Sequence, residues 1–401
     1  MKKWWIFVLI ILFGVSLAQA RPVHHKKIRV TKGATAKTKT AKKAAVPEVP
    51  YKAYLVMDAR TGRVLDGENV HLKRAPASVV KLMVADIVLE KLAKGEAKLT
   101  DPITTSKESA KIGGSQVYLK EGETFTLEQM MKAIMVASAN DAAYAVAEHL
   151  AGSKDAFIQL MNQKAKALNM VDTEFHSVHG LPPSKGQSED LSSCSDLAIL
   201  ARELLKYPKI LEWTSIKTEG FRNNQFIMNN HNKLLFRMPE VDGLKTGYFR
   251  ETGFNIVVTA AKKDLRFIVV VLGSSKARTR DNFALEKLKT AFSQYKTLDL
   301  VKKGETVEKE ISLPDGEIGK IKGVAGASFS YSVPTNSKGK VTKEIQVPAK
   351  ISGGIKNGQK LGDLIVKIDN EVVGKIDIVS PLAVPQAPWF KKLLRKVGIS
   401  I

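Results

Sequence analysis

Three short strings carry the residues that could do chemistry: Ser78-Val79-Val80-Lys81, Ser138-Ala139-Asn140 and Lys245-Thr246-Gly247. A serine hydroxyl is a poor nucleophile at neutral pH and needs a base within hydrogen-bond reach. A lysine three residues on shares its helical face. It can serve as that base once desolvation and a nearby positive charge have lowered its pKa. The run Val79 to Leu89 is apolar on almost every side apart from Lys81 and Asp86, so its helix is buried and Lys81 meets the first condition. Lys245, brought into the same cleft, meets the second. Ser138 would pass a proton onward, and Asn140 would hydrogen-bond the substrate amide or Lys81. Lys245 and Thr246 at the end of a strand suit a terminal carboxylate, while Gly247 lets a substrate backbone approach closely. The oxyanion formed on attack needs two backbone N–H donors, for which Ser78 and Tyr248 are the natural candidates.

Context separates Ser78 from chance matches. Ser293-Gln-Tyr-Lys296 and Ser337-Lys-Gly-Lys340 have the same spacing. The first sits late in a helical stretch, and the second lies among Pro334, Asn336 and Gly339 as a polar turn. Only Ser78 opens a core helix, which the pattern predicts to run to about Ala93 with Gly95 as its stop. Thr126 and Gln129 form a capping box for a helix over Leu127 to Ala137. That helix breaks at Ser138-Ala-Asn-Asp141, which is expected to expose Ser138 and Asn140, and a new helix runs from Ala142 to Ala151. Further helices are predicted over 155–168, 195–205 and 281–295, with a loop over 176–192. Strands are predicted over 51–57, 63–65, 218–222, 241–245, 254–260 and 266–273. The fold class is α/β, an antiparallel sheet flanked by helices. From about Thr297 helical periodicity vanishes. Short alternating strands over 308–313, 328–333, 343–347, 364–368 and 371–378 predict a small all-β domain.

The expected organisation is a signal peptide over 1–20, a basic disordered tail over 21–50, a catalytic domain over 51–296, the β-rich domain over 297–385 and an amphipathic helix over 386–401. Lys2 and Lys3, the apolar run Trp4 to Phe13 and Ala18-Gln19-Ala20 read as a secretory leader, so the chain is exported, to the periplasm or the outer face of the cytoplasmic membrane; an uncleaved anchor is the alternative. The net charge of +23 is concentrated at the start. Residues 1–50 hold eleven Lys/Arg against the single acid Glu48. On an exported chain such a tail meets anionic envelope polymers or phospholipid headgroups rather than nucleic acid, or is a solvated spacer. At the other end Trp389, Phe390, Leu393, Leu394 and Val397 share one helical face opposite four cations, which suits a membrane surface; docking on the β-domain is the alternative. The single cysteine, Cys194, forms no internal disulfide and is taken as structural. His24-His25 has no further ligands nearby, so neither a metal nor a cofactor is assigned.

The three strings resemble the motif set of the serine penicillin-binding proteins and class A β-lactamases. The flanking text, Ala75-Pro-Ala-Ser-Val-Val-Lys-Leu-Met83, Ser138-Ala-Asn-Asp-Ala-Ala143, His179-Gly-Leu181 and Val241-Asp-Gly-Leu-Lys-Thr-Gly247, is similar to the low-molecular-mass D-alanyl-D-alanine carboxypeptidases, peptidase family S11. Residues 50–295 carry the resemblance strongly and 297–385 more weakly, while the tail resembles the family's membrane anchor. Ala139 stands where many relatives have Gly, and Tyr248 where many have His. The resemblance implies release of the terminal D-alanine from peptidoglycan stem pentapeptides through an acyl-enzyme on Ser78, and covalent inhibition by β-lactams. Class A enzymes hold a deacylating water on a glutamate. Glu189, in the 179–192 loop, lacks the Glu-x-x-x-Asn arrangement for that task. Endopeptidase action on cross-linked peptides and a non-catalytic wall-binding role are the remaining alternatives.

Overall fold

The computed structural model describes residues 49–396, with side chains described through residue 392. The expected leader, nearly all of the basic tail, His24-His25 and residues 397–401 lie outside the described residues.

Ala53–Asp58 (β1) and Val64–Glu68 (β2) form a hairpin. Its turn is set by Asp58 Oδ1, which accepts from the amides of Arg60 (2.9 Å) and Thr61 (3.1 Å). A 3-10 turn over Ala77–Val80 leads into Lys81–Lys94 (α1), which ends where Gly95 adopts φ 74°. Pro102–Thr104 (β3) and Thr124–Thr126 (β4) pair on either side of Lys107–Ala110 (α2). The expected capping box starts Leu127–Val136 (α3). Asn140–Ala151 (α4), Lys154–Ala167 (α5), Cys194–Leu204 (α6) and the unanticipated six-residue Lys209–Thr214 (α7) follow. Thr218–Phe221 (β5) pairs only with Phe226–Asn229 (β6), so the strand expected over 218–222 belongs to a separate hairpin. Val241–Phe249 (β7), Gly253–Lys262 (β8) and Leu265–Ser274 (β9) are successive antiparallel strands. Ala277–Gln294 (α8) starts four residues before the expected Asp281.

The main sheet has the order β2-β1-β9-β8-β7, antiparallel throughout. Alternate side chains leave a strand on opposite faces. Leu55, Met57, Val257, Ile268 and Val270 join residues of α1, α3, α4 and α6 in one core, while Tyr54, Val56, Val258, Val269 and Val271 join Ala284 and Leu288 of α8 in another. Burial on both faces explains why these strands read as unbroken apolar runs. α1 is buried from Lys81 to Leu89. Each large apolar side chain there contributes about 1.5–3 kcal/mol, which holds the helix in place with two ionisable groups, Lys81 and Asp86, inside the core.

The β-rich domain consists of Tyr295–Val301 (β10), Thr306–Ser312 (β11), Lys320–Ala325 (β12), Phe329–Pro334 (β13), Val341–Gln346 (β14), Lys360–Ile368 (β15) and Glu371–Val379 (β16). Five of these pair in the order β11-β12-β16-β15-β14, and β10 pairs with β13. β10 and β12 fall where alternation predicts no strand. In β12 the misleading residue is Gly323, whose added Cβ would lie 2.3 Å from Ile378; it is a close-packing glycine inside a strand, not a turn. Arg63 reaches across to this domain, its guanidinium donating to Tyr331 Oη (3.1 Å) and to the Ser332 carbonyl (2.8 Å). Trp389–Lys396 (α9) ends the described chain. Among the described residues no helix is long and apolar enough to cross a membrane.

Candidate active site

Ser78 is placed by its neighbours more than by its own helix. The Ala75 carbonyl accepts from Thr252 Oγ1 (2.6 Å) and Asn255 Nδ2 (3.0 Å), and Ala77 takes φ 51°. The turn carrying Ser78 is thereby tied to β8 and the loop before it. β7 lies directly against it: a Cβ on Gly247 would sit 2.4 Å from the Pro76 carbonyl oxygen and 3.1 Å from the Ser78 amide nitrogen. The glycine that sequence reasoning reserves for an approaching substrate is already required by the chain's own backbone.

Lys81, the first residue of α1, is fully buried. Its Nζ lies 3.1 Å from Ser78 Oγ, 2.7 Å from Asn140 Oδ1 and 2.7 Å from the His179 carbonyl oxygen. No carboxylate pairs with it among the described residues. Burial, and then the charge of Lys245, push its pKa well below the ordinary lysine value, against a smaller upward pull from Asp190 and Asp141. A neutral amine has two N–H bonds and one lone pair. In the neutral form the two carbonyl oxygens would take the N–H bonds, leaving the lone pair toward the Ser78 hydroxyl; in the charged form all three contacts are donated by Nζ.

Ser138 and Asn140 were expected to be exposed by the helix break; they are 1% and 2% exposed. Ser138 takes φ 60°, so the break exists, but the segments around 113–119 and 176–181 fold over it. Asn140 Nδ2 donates to the Gly113 carbonyl (2.7 Å) and its amide to the Ser115 carbonyl (2.7 Å). Next to it the buried Asp141 carboxylate accepts from the amides of Val117 (3.2 Å) and Leu119 (3.0 Å). Asn140 can therefore present only its Oδ1 to Lys81. The Ser138 hydroxyl is buried with no hydrogen-bond partner among the described residues.

The loop expected over 176–192 contributes a backbone carbonyl. Asp190 accepts from the amides of His176 (2.6 Å) and Ser177 (2.9 Å). Gly180, at φ 74°, lets the loop close on the Ser78 turn, since a Cβ there would lie 2.1 Å from the Ala77 carbonyl oxygen. Glu189 is exposed on this loop.

Lys245 is buried on β7, and its Nζ donates to the Thr246 carbonyl (3.1 Å). Burial, and then the charge of Arg280, lower its pKa to about 7. Arg280 is itself buried on α8, donating to Asp281 Oδ1 (2.6 and 2.9 Å) and to the Asn255 carbonyl (3.0 Å); Asn255 stands opposite Gly247 in the β7–β8 register. Sequence reasoning passed over Arg280, Asp141 and Asp190. An adjacent Arg-Asp pair near the start of a helix was the available signal for the first; a carboxylate in the first turn of α4, like Asp141, reads as an ordinary helix start, and a loop carboxylate like Asp190 leaves no signal. Tyr248 is half exposed, its ring stacked 4.0 Å from that of Phe254. The structure brings Ser78, Lys81 and Asn140 into direct contact, packs Gly247 against the Ser78 turn, and places Lys245 near enough to act on Lys81.

Residues 38–276 match the family model described as D-alanyl-D-alanine carboxypeptidase, and residues 295–386 match that of the penicillin-binding protein 5 C-terminal domain. The chain is 36% identical over 354 residues to the D-alanyl-D-alanine carboxypeptidase DacF of Bacillus subtilis, covering 86% of this chain and 89% of that one. A solved D-alanyl-D-alanine carboxypeptidase, DacD of Francisella tularensis, superposes with a TM-score of 0.64 at 27% identity, covering 85% of this chain and 95% of that one. Penicillin-binding protein D2 of Listeria monocytogenes, solved in an ampicillin-bound form, gives a TM-score of 0.55 at 29% identity over 60% of this chain and 96% of that one. With residues 38–276 and 295–386 matched and a relative 36% identical over most of its length, the chain belongs to the D-alanyl-D-alanine carboxypeptidases, a family of serine peptidases.

Proposed function

We propose that the chain releases the terminal D-alanine from peptidoglycan stem pentapeptides through an ester on Ser78. The observation that carries this reading is the contact set of Lys81: one hydroxyl, two carbonyl oxygens and, among the described residues, no carboxylate. In the first step the Ser78 Oγ–H proton passes to Lys81 Nζ as Oγ attacks the carbonyl carbon of the D-Ala–D-Ala bond. The amides of Ser78 and Tyr248 receive the oxyanion. Collapse breaks the C–N bond, and the proton goes through the Ser138 hydroxyl to the departing amine. Water, deprotonated by the same lysine, then hydrolyses the ester and restores Ser78. Lys245 and Thr246 hold the substrate's terminal carboxylate, a role for which a buried cation on a strand edge is suited. A β-lactam offers a carboxylate and a strained amide to the same groups and would leave a stable ester on Ser78.

The reading places the chain outside the cytoplasm, supported by the leader-like residues 1–20. Trp389 is 78% exposed and Phe390 48%, beside Lys391 and Lys392, which supports a weak contact of α9 with an anionic membrane surface. The basic residues 21–50 would add to it or bind anionic polymers of the envelope.

Labelling with a fluorescent penicillin and a D-alanine release assay test the proposal. The wild-type chain is expected to gain one penicillin mass and to free D-alanine from an acyl-D-Ala-D-Ala peptide, and Ser78→Ala to do neither. Labelling that survives Ser78→Ala overturns it. Cleavage of a cross-linked dimer in preference to the pentapeptide would make the enzyme an endopeptidase instead.

A further inference from the structure

A second cationic site lies away from the cleft. A cavity of about 600 Å³ is lined by Arg60, Gly62, Arg202, Lys206 and Arg266 together with the carboxylate of Glu203, and a neighbouring one of about 440 Å³ shares Arg60 and Arg202 and adds Ser328, Phe329 and Ser330 of the β-rich domain. The site sits toward the other end of the main sheet. Arg266 stands opposite Ala261 near the β8–β9 turn, whereas Thr246 is level with Ile256 and Val271. Five residues of β9 separate the two levels, about 17 Å at roughly 3.3 Å per residue.

The charges here divide into two kinds. Arg266 is neutralised by Asp242 through two contacts (2.7 and 2.8 Å), and Lys206 by Glu203. Arg60 and Arg202 are held by backbone carbonyls instead. Arg60 donates to the Asp264 oxygen (2.6 Å), and Arg202 to those of Ala59 (3.0 Å) and Arg60 (3.1 Å). Neither pairs with a carboxylate among the described residues. The turn is shaped around Arg202: Gly62 is at φ 76°, and a Cβ there would lie 2.9 Å from Nη1. The buried Asp58 carboxylate turns one oxygen to the Arg60 and Thr61 amides and leaves the other without a hydrogen-bond partner among the described residues. Two guanidiniums positioned without being neutralised form a ready fork for phosphate oxygens. A water occupies about 30 Å³, so either cavity exceeds a single oxyanion several-fold, and two cavities joined at the same arginines fit a chain of anionic groups.

We propose that Arg60 and Arg202 form a binding site for a soluble phosphate-bearing chain at the junction of the catalytic and β-rich domains, separate from the Ser78 cleft. The probe is tripolyphosphate, titrated calorimetrically into the full chain at about 0.15 M salt, where exposed charges are screened beyond roughly 8 Å. Arg60→Gln/Arg202→Gln is expected to weaken binding about tenfold or more. Arg237→Gln, an exposed arginine bonded to Asn282, is expected to leave it unchanged. Because the basic residues before 50 can also attract polyphosphate, equal affinity in the wild type and the double variant overturns the proposal. Should the double variant fail to fold, arginine modification of the wild type decides: tripolyphosphate must protect Arg60 and Arg202 from phenylglyoxal in a peptide mass map, and their unprotected modification is the contrary result. Anionic phospholipid vesicles protecting these two arginines while tripolyphosphate does not would likewise overturn it, in favour of a membrane contact.

Discussion

Asn140 Oδ1 accepts from Lys81 Nζ at 2.7 Å, and Asn140 Nδ2 is committed to the Gly113 carbonyl at 2.7 Å. The amide is thus locked with its oxygen toward the lysine, and what it offers there is a neutral acceptor. A carboxylate in the same place would favour the charged form of Lys81. Asn140→Asp is therefore expected to slow acylation by about 10²–10⁴-fold near neutral pH, the usual loss when a general base is taken away. The rate should rise about tenfold per pH unit on the alkaline side as the lysine is forced to deprotonate. Stopped-flow penicillin labelling from pH 6 to 10 checks this; a slow variant with a flat profile would mean that Asn140 matters only for shape.

In the proposed mechanism the two buried lysines have opposite needs. Lys81 must be neutral to accept a proton, while Lys245 must be charged to hold a carboxylate. Lys81 is pushed well below the ordinary value and Lys245 only to about 7. A lowered lysine pKa means that charge is lost as pH rises through it, so substrate capture should weaken above about pH 7 in the free enzyme. kcat/KM, which reports the free enzyme, should then bend down on the alkaline side from near neutrality. Lys245→Arg keeps its charge throughout and is expected to remove that limb, at some cost in rate from the larger head group. Arg280→Met, which takes away the second cause of the shift, should move the limb upward. An alkaline limb unchanged in Lys245→Arg assigns it to another group.

Gly247 and Gly180 bracket the Ser78 turn from two sides. A Cβ on the first would lie 2.4 Å from the Pro76 oxygen, and on the second 2.1 Å from the Ala77 oxygen. Both obstacles are backbone, so the turn and not a flexible side chain has to move. A shift of about 1 Å costs on the order of a hundredfold in rate. Gly247→Ala and Gly180→Ala are each expected to lower acylation by that order while far-ultraviolet circular dichroism stays native. Wild-type acylation in both would show that the turn yields without displacing Ser78.

How far the site was legible in the sequence follows from what each contact is made of. Ser78, Lys81, Asn140 and Lys245 stand in short strings, and the apolar run after Ser78 already placed Lys81 in the core. Thr126 with Gln129 and the stop at Gly95 were readable because a cap is a local bond. The His179 oxygen on Lys81 is a backbone atom and has no residue signature. The burial of Ser138 and Asn140 depends on two segments closing over a helix break, which periodicity along one element does not contain. β3, β4 and β6, which no pattern marked, are three or four residues long, too short for alternation to stand out.

Asp86 shares the buried face of α1 with Lys81 but is a liability to the fold at neutral pH. Neither of its oxygens has a hydrogen-bond partner, and Lys164, at 3.4 Å, makes its closer contact with Glu90 at 2.8 Å. Burial outweighs that lysine and raises the Asp86 pKa to about 6. A carboxyl whose folded pKa is raised contributes stability that is complete below its unfolded value of 3.8 and is lost as pH rises through about 6. The loss at pH 7.5 is on the order of 3 kcal/mol. Asp86→Asn keeps the shape, removes the charge and leaves Lys164 paired with Glu90. Its Tm is expected to exceed the wild-type value by a few degrees at pH 7.5. The difference should shrink toward pH 4, where the wild-type carboxyl is protonated in the folded state. Calorimetric unfolding at the two pH values makes the comparison. An equal difference at both, or a variant less stable at pH 7.5, would show that the Lys164 ion pair and not desolvation governs this carboxylate.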